Sequence, residues 1–148
     1  MGSSSIYKNK EKALGITSAL EDYKLSVRDE FFIYEESFEE KITEVIKIKD
    51  APTAIICQWD YTAIKLIKFL YEKGIRVPED ISVIGSGNTE ISSLFIPALT
   101  TLELNIDYAC EVAVDLLLKR ISKPDKPYEN ITINSILVER DSIKRYQK

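Results

Sequence analysis

The sequence predicts a three-layer α/β fold built around a mostly parallel sheet. Three observations carry that expectation. Short apolar runs alternate with longer amphipathic stretches along the chain. The short runs at 53–57 and 81–85 are apolar almost throughout, as in strands covered on both faces. Finally, 148 residues that are 45% hydrophobic and 30% charged have the size and balance of one globular domain.

The elements follow in order. Met1 to Ser4 is small, polar and without periodicity, and reads as an expression leader outside the fold. From Tyr7 to Tyr23, Ala13, Leu14, Ile16, Ala19 and Leu20 recur at helical spacing against Lys and Glu, which predicts an amphipathic helix. Phe31-Phe32-Ile33-Tyr34 is aromatic and β-branched and predicts a strand, after which Ser37 can cap a helix carrying Phe38, Ile42, Val45 and Ile46. Thr53-Ala54-Ile55-Ile56-Cys57 predicts a buried parallel strand. Asp60 stands where an N-cap is needed, and Ala63, Ile64, Ile67, Leu70 and Tyr71 form the stripe of a helix from about Tyr61 to Lys73, closed by Gly74.

Ile81 to Gly85 predicts a further buried strand, Ser86-Gly87-Asn88-Thr89 a polar turn, and Ile91 to Phe95 a short helix that Pro97 interrupts. Thr100 to Leu104 alternates like a strand exposed on one side. Asp107 can cap a helix from Tyr108 to Arg120 that is apolar over two-thirds of its circumference and predicts extensive burial. A turn containing Pro124 and Pro127 leads to a final strand, Ile131 to Val138.

Composition excludes several functions. A net charge of −4 supplies no excess of cations to neutralise a phosphate backbone, so the chain is a poor DNA binder by itself. The absence of His removes His-based triads, His-bearing metal sites and imidazole switches, and no metal or cofactor is expected. Ser86-Gly87-Asn88 lacks both the G-x-G-x-x-G spacing and the Gly-Lys-Ser/Thr ending of phosphate loops. Cys57 and Cys110 have apolar neighbours and read as buried thiols in a reducing compartment. No apolar run reaches the roughly 18–20 residues of a membrane span, and no apolar signal core is visible, so the expected location is cytoplasmic.

Pro52 to Cys57, Asp60 through Gly74-Ile75-Arg76-Val77-Pro78-Glu79-Asp80-Ile81-Ser82-Val83-Ile84-Gly85, Ile96-Pro97-Ala98-Leu99-Thr100-Thr101 and Leu137-Val138-Glu139-Arg140-Asp141-Ser142 together resemble the effector-binding domain of LacI/GalR-type bacterial transcription regulators. Lys12-Ala13-Leu14-Gly15 also fits the family's basic-x-x-Gly step. The resemblance covers nearly all of the chain after the leader. It implies a periplasmic-binding-protein-like type I architecture, in which two α/β lobes close over a small effector. Residues 5–148 would be the C-terminal part of that domain: the second lobe plus a piece of the first, to which the helix at 105–123 would belong.

The resemblance also implies site residues. Ligand-binding positions fall on Lys12, Tyr34, Trp59, Asp60 and Gly87, of which Lys12 and Tyr34 keep the type found in sugar-binding members. Trp59 stands where a polar amide is common, Gly87 where an Asp accepts hydrogen bonds from sugar hydroxyls, and Leu104 where a polar residue often meets the ligand. For Asp60, capping alone accounts for the residue type and competes with a ligand contact. Ile64, Leu94 and Phe95 would face a two-fold partner in a homodimer. The function implied is that of a non-enzymatic sensor, in which a small effector, a sugar or sugar derivative, alters the DNA affinity of a module outside this sequence. A solute-binding protein of a transport system is the alternative, and an α/β enzyme is disfavoured by the missing motifs.

Overall fold

The computed structural model describes residues 4–25, 28–33 and 38–145. The chain divides into two compact units, Met1–Pro52 and Thr53–Lys148. In the first, α1 (Ser4–Asp22) carries the half-buried residues Ala13, Ile16 and Leu20, spaced by three and four as an amphipathic stripe requires. It ends as the Leu25 and Lys24 amides donate to the carbonyls of Leu20 and Glu21, with Lys24 left-handed at φ 56°. α2 (Phe38–Val45) buries Ile42 and Val45.

The predicted strand at Phe31 is absent. Asp29–Phe31 forms a 3₁₀ turn instead, in which the Phe31 and Phe32 amides donate to the carbonyls of Arg28 and Asp29. Those local bonds consume donors that a sheet ladder would need, and the Arg28 guanidinium sits 5.3 Å from the centre of the Phe31 ring. Tyr34 and Ser37 lie outside the described residues.

The second unit holds one sheet of order β1-β2-β3-β4, made of β1 (Ala54–Ile56), β2 (Ser82–Ser86), β3 (Thr100–Glu103) and β4 (Ile136–Val138). The first three strands are parallel, with Ile55 opposite Val83 and Gly85 opposite Thr101. β4 runs antiparallel to β3, with Leu137 opposite Leu102. The sheet is therefore mostly parallel, as the sequence predicts. Two strand readings need correction. β1 is not covered on both faces, since Ala54 is exposed and Ile56 is 52% exposed; in this sheet it is an edge strand, paired with β2 alone. β3 does not alternate, because Thr100 and Thr101 are both fully buried, each with its hydroxyl hydrogen-bonded.

α3 (Asp60–Glu72) packs on β2 and buries Ala63, Leu66, Ile67 and Leu70 at the i, i+3, i+4, i+7 positions of one face. With Val83 and Leu99 these residues make the core of the unit. The helix stops where predicted: Gly74 takes φ +75°, its amide donates to the Tyr71 carbonyl, and the Ile75 amide donates to that of Leu70. The next turn is clamped by Arg76, whose backbone amide and guanidinium Nε both donate to Asp80 Oδ2 while a terminal nitrogen reaches Oδ1.

Hydrogen bonds from Arg76 hold the Asp80 carboxyl down at a pKa of about 2. A carboxylate depressed in the folded state adds stability above its unfolded value and loses that contribution as pH falls through the folded one. Asp80→Asn should therefore flatten the acid limb of stability between about pH 4 and pH 2, read by denaturant midpoints across that window. Above about pH 5 the slopes of the two proteins should coincide.

α4 (Glu90–Leu94) follows β2, and α5 (Ile106–Ser122) follows β3. α5 departs from two expectations. Its N-cap is the left-handed Asn105 rather than Asp107, and Asn105 Nδ2 donates to the Asn134 carbonyl. No residue of α5 is buried, and Tyr108, Val114, Leu117, Leu118 and Ile121 are each more than half exposed. The final strand is shorter than predicted: Ile131 to Ser135 are mostly exposed, and pairing is confined to the three residues facing β3.

Beyond β4 the chain crosses the N-terminal ends of the central strands. The buried Ser142 hydroxyl donates to the Val83 carbonyl at 2.6 Å and accepts from the Thr100 amide at 2.9 Å, while the Val83 amide donates to the Ser142 carbonyl. The Arg140 amide donates to Thr100 Oγ1, and the Lys144 amide to Ser82 Oγ.

The cysteines differ from each other, correcting the reading of both as buried. Cys57 is buried at the end of β1, and desolvation pushes its thiol up to about 12, whereas Cys110 on α5 is exposed. Iodoacetamide at neutral pH should label Cys110 alone in the native chain and both thiols in denaturant, as mass spectrometry of the peptides would report.

Candidate functional site

In open α/β sheets ligands bind outside the carboxyl ends of the strands, where loops and helix N-termini converge. Here that rim is made by Trp59 and Asp60 after β1, Gly87 to Thr89 after β2, and Leu104 and Asn105 after β3.

Asp60 organises it. The residue is 1% exposed and occupies the first turn of α3, with Trp59 as the N-cap residue, so it is not the cap that local sequence suggests. Its carboxylate turns away from the helix. Oδ1 accepts from Thr101 Oγ1 at 2.5 Å, and Oδ2 accepts from the Thr89 amide at 2.7 Å and Thr89 Oγ1 at 2.9 Å. One side chain thus ties the loops after β1 and β2 to β3, and three donors satisfy a buried carboxylate. The approach requires a bare backbone beside it: a methyl group on Gly85 would stand 2.3 Å from Asp60 Oδ1 and 2.8 Å from Leu99 Cδ2.

A second network continues from the first. Asn88 Nδ2 donates to Glu103 Oε2 at 2.8 Å, and Asn88 Oδ1 accepts from an Arg140 terminal nitrogen at 2.7 Å. The other terminal nitrogen of Arg140 donates to Ser92 Oγ and to the Leu99 carbonyl. Glu103 Oε1 accepts from the Asn105 backbone N–H at 2.9 Å. The hydrogen bonds from Asn88 and Asn105 hold the Glu103 carboxyl below its ordinary value, so it is an anionic acceptor at neutral pH. Among the described residues Ser86 Oγ is a buried polar atom without a partner, at the end of β2.

The residues expected at the site are distributed as follows. Asp60 and Gly87 are brought together, with Asp60 Oδ2 3.6 Å from the place a Gly87 side chain would begin. Gly87 has φ +128°, which L side chains rarely adopt, and its amide donates to the Leu102 carbonyl at 2.8 Å. Its backbone thus accounts for the glycine at this position. Trp59 is 51% exposed beside Asp60. Lys12 lies on α1 in the first unit, where partial burial lowers its ammonium pKa, and Tyr34 is outside the described residues. Leu94 is 71% exposed, while Ile64 and Phe95 are half-buried. Sequence reading missed Thr89, Thr101, Asn88, Glu103 and Arg140. Thr101 and Arg140 lie within segments that carry the resemblance, and Asn88 and Thr89 within the polar turn, but no local pattern joins Arg140 to Asn88, 52 positions away.

The arrangement is suited to holding loops and binding. Among the described residues no group of three His, Cys, Asp or Glu side chains could hold a metal ion, and no helix is long and apolar enough to cross a membrane. Residues 8–143 match the periplasmic binding protein-like domain family. The chain is 36% identical over 141 residues to the HTH-type transcriptional repressor PurR of Mannheimia succiniciproducens, an alignment covering 92% of this chain and 42% of the relative. A putative LacI transcriptional regulator from Bacillus cereus subsp. cytotoxis superposes with a TM-score of 0.83 at 23% identity, covering 93% of this chain and 50% of that one. A LacI-type regulator from Bifidobacterium animalis subsp. lactis does so with a TM-score of 0.76 at 30% identity, over 92% and 51% of the two chains. The chain spans about two-fifths of the curated relative's length and half of each structure's. Its sheet of parallel strands with one antiparallel neighbour and its flanking helices are those of LacI effector-binding domains. The chain belongs to the periplasmic binding protein-like domain family, and the relatives that share this domain with it are LacI-type transcription regulators.

Proposed function

We propose that this chain is the C-terminal part, residues 5–148, of the effector-sensing and dimerisation domain of a bacterial transcription regulator. A small molecule bound at the strand-end rim favours one lobe arrangement, and that arrangement sets the DNA affinity of a module outside this sequence. The observation that carries the reading is the Asp60 carboxylate tying the loops after β1 and β2 to β3 at the place where such sheets bind ligands.

Two surfaces fit this reading. Tyr108, Val114, Leu117, Leu118 and Ile121 leave apolar surface exposed on α5, and the first lobe of the same domain is its natural cover. Ile64, Leu94 and Phe95 form the homodimer contact, for which the exposed Leu94 supplies apolar area. The effector is a sugar or sugar derivative, a class supported by a LacI family regulator of the same fold from Enterococcus faecium that holds ribose. The reading involves binding without catalysis, a cytoplasmic location, and no cofactor. The regulator relatives favour it over a transport protein.

Thermal-shift titration with sugars, sugar phosphates and nucleosides tests it. A compound at 100 times its Kd should stabilise the chain by about 2.7 kcal/mol. Sedimentation should show a dimer that Leu94→Asp converts to monomer. A chain that no compound stabilises and that sediments as a monomer would remove the proposal.

A further inference from the structure

We infer that Asn88 is a positioning residue whose side chain ties the rim turn after β2 to both ends of the segment 105–135. The inference rests on the binding reading above and names the residue through which occupancy of the rim reaches that segment. The segment leaves the sheet after β3 and rejoins it at β4, which pairs with β3. None of its residues is buried, so apolar packing does little to seat it on this unit. Its orientation is set by the polar contacts at its base.

Those contacts form a closed circuit. Asn88 Nδ2 donates to Oε2 of Glu103, the last residue of β3, and Glu103 Oε1 accepts from the Asn105 backbone N–H. Asn105 Nδ2 then crosses the base of the segment and donates to the Asn134 carbonyl at 2.9 Å. From Asn134 the chain runs through β4 to Arg140, whose guanidinium returns to Asn88 Oδ1 at 2.7 Å. Asn88 brings the rim turn into this circuit, standing between Gly87 and Thr89, the partner of Asp60.

The other members are anchored elsewhere. Arg140 also donates to Ser92 Oγ and the Leu99 carbonyl, its backbone amide donates to Thr100 Oγ1, and Glu103 belongs to a paired strand. The turn is therefore the part that gives. A ligand that shifts it moves the bonds to Glu103 and Arg140 together, and by linkage a reseated segment changes the affinity of the rim. Asn88 and Asn105 both hold left-handed backbones, at φ 45° and 50°. Glycine accepts that conformation more readily still, so Asn88→Gly removes the amide without straining the turn.

Amide hydrogen exchange of the full chain, followed by mass spectrometry, tests the inference. Asn88→Gly should speed exchange in 103–109 and 133–139 by about tenfold or more, while 63–72 in α3 keeps its rate. Asn88→Asp keeps an acceptor for Arg140 but sets a carboxylate against that of Glu103, so it should speed 103–109 more than 133–139. Saturating D-ribose or adenosine should alter exchange at the base of the segment in the wild-type chain as well as at 57–62 and 86–90. In Asn88→Gly the same compound should act on 57–62 and 86–90 alone. An unchanged base in Asn88→Gly, equal acceleration of α3, or a wild-type response confined to the rim overturns the inference and leaves the binding reading standing. No response of the folded chain to either compound overturns both.

Discussion

Asp60→Ala should destabilise the second unit by about 3–5 kcal/mol, read as a lower urea midpoint. The substitution removes an acceptor from three donors at once, among them the Thr89 amide and the buried Thr101 hydroxyl. Leaving buried donors unsatisfied costs more than the bonds contribute on balance. Asp60→Asn should cost less, about 1–3 kcal/mol, because one carbonyl oxygen is retained and threonine hydroxyls can rotate to accept from its amide. The backbone amide of Thr89 cannot rotate in that way. If Asp60 served only as a helix cap, Asp60→Ala would cost about 1 kcal/mol and Asp60→Ser would restore it. On the geometry described here, Asp60→Ser should fail to rescue.

Gly85→Ala should cost about 3 kcal/mol by the opposite mechanism, overpacking. The added methyl would stand 2.3 Å from Asp60 Oδ1, 2.8 Å from Leu99 Cδ2 and 3.2 Å from Asp60 Cα, in the middle of a parallel strand that has no room to shift alone. The two substitutions are coupled. Asp60→Ala removes the closest of these contacts, so the double variant should be more stable than the sum of the single effects predicts, by about 1–2 kcal/mol. Strict additivity in a double-mutant cycle would mean that Gly85 does not make room for the Asp60 carboxylate.

Much of this fold is legible because its signals are local. The apolar runs of β1 and β2, the buried positions Ala63, Ile67 and Leu70 of α3 and the left-handed Gly74 each depend on residues within one element and are legible from spacing, although the stripe also takes in Tyr71, which is 80% exposed, and omits the buried Leu66. The misreadings share a different origin. Phe31 to Ile33 have strand-like side chains, yet the amides of Phe31 and Phe32 find nearer partners in a 3₁₀ turn. Asp60 looks like a cap because a cap is sufficient to explain an Asp before a helix, while its actual partners are 29 and 41 positions away. Thr100 and Thr101 break the expected alternation because distant residues satisfy both hydroxyls. Apolar periodicity identified α5 correctly, but it cannot say which surface covers a helix, and here none of its residues is buried. For the candidate site, sequence placed Trp59 and Asp60 after β1 and Gly87 after β2, and the hydrogen bonds that Asp60 makes to Thr89 and Thr101 required the fold.

The crossing of the C-terminal segment under β2 and β3 sets the order in which this unit can be completed. Ser142 closes bonds with Val83 and Thr100 across 59 and 42 positions, and Lys144 reaches Ser82 across 62. Those closures carry the chain-entropy cost of long loops, which slows folding relative to local structure. During synthesis the helices and the β1-β2-β3 pairing can form while the last residues are still being added, but the N-terminal ends of the central strands stay unlatched until Ser142 is available. The buried seryl hydroxyl is therefore a late checkpoint: a chain ending before it would retain its helices and leave the carbonyl of Val83 and the amides of Val83 and Thr100 without these partners, a species marked for aggregation or proteolysis.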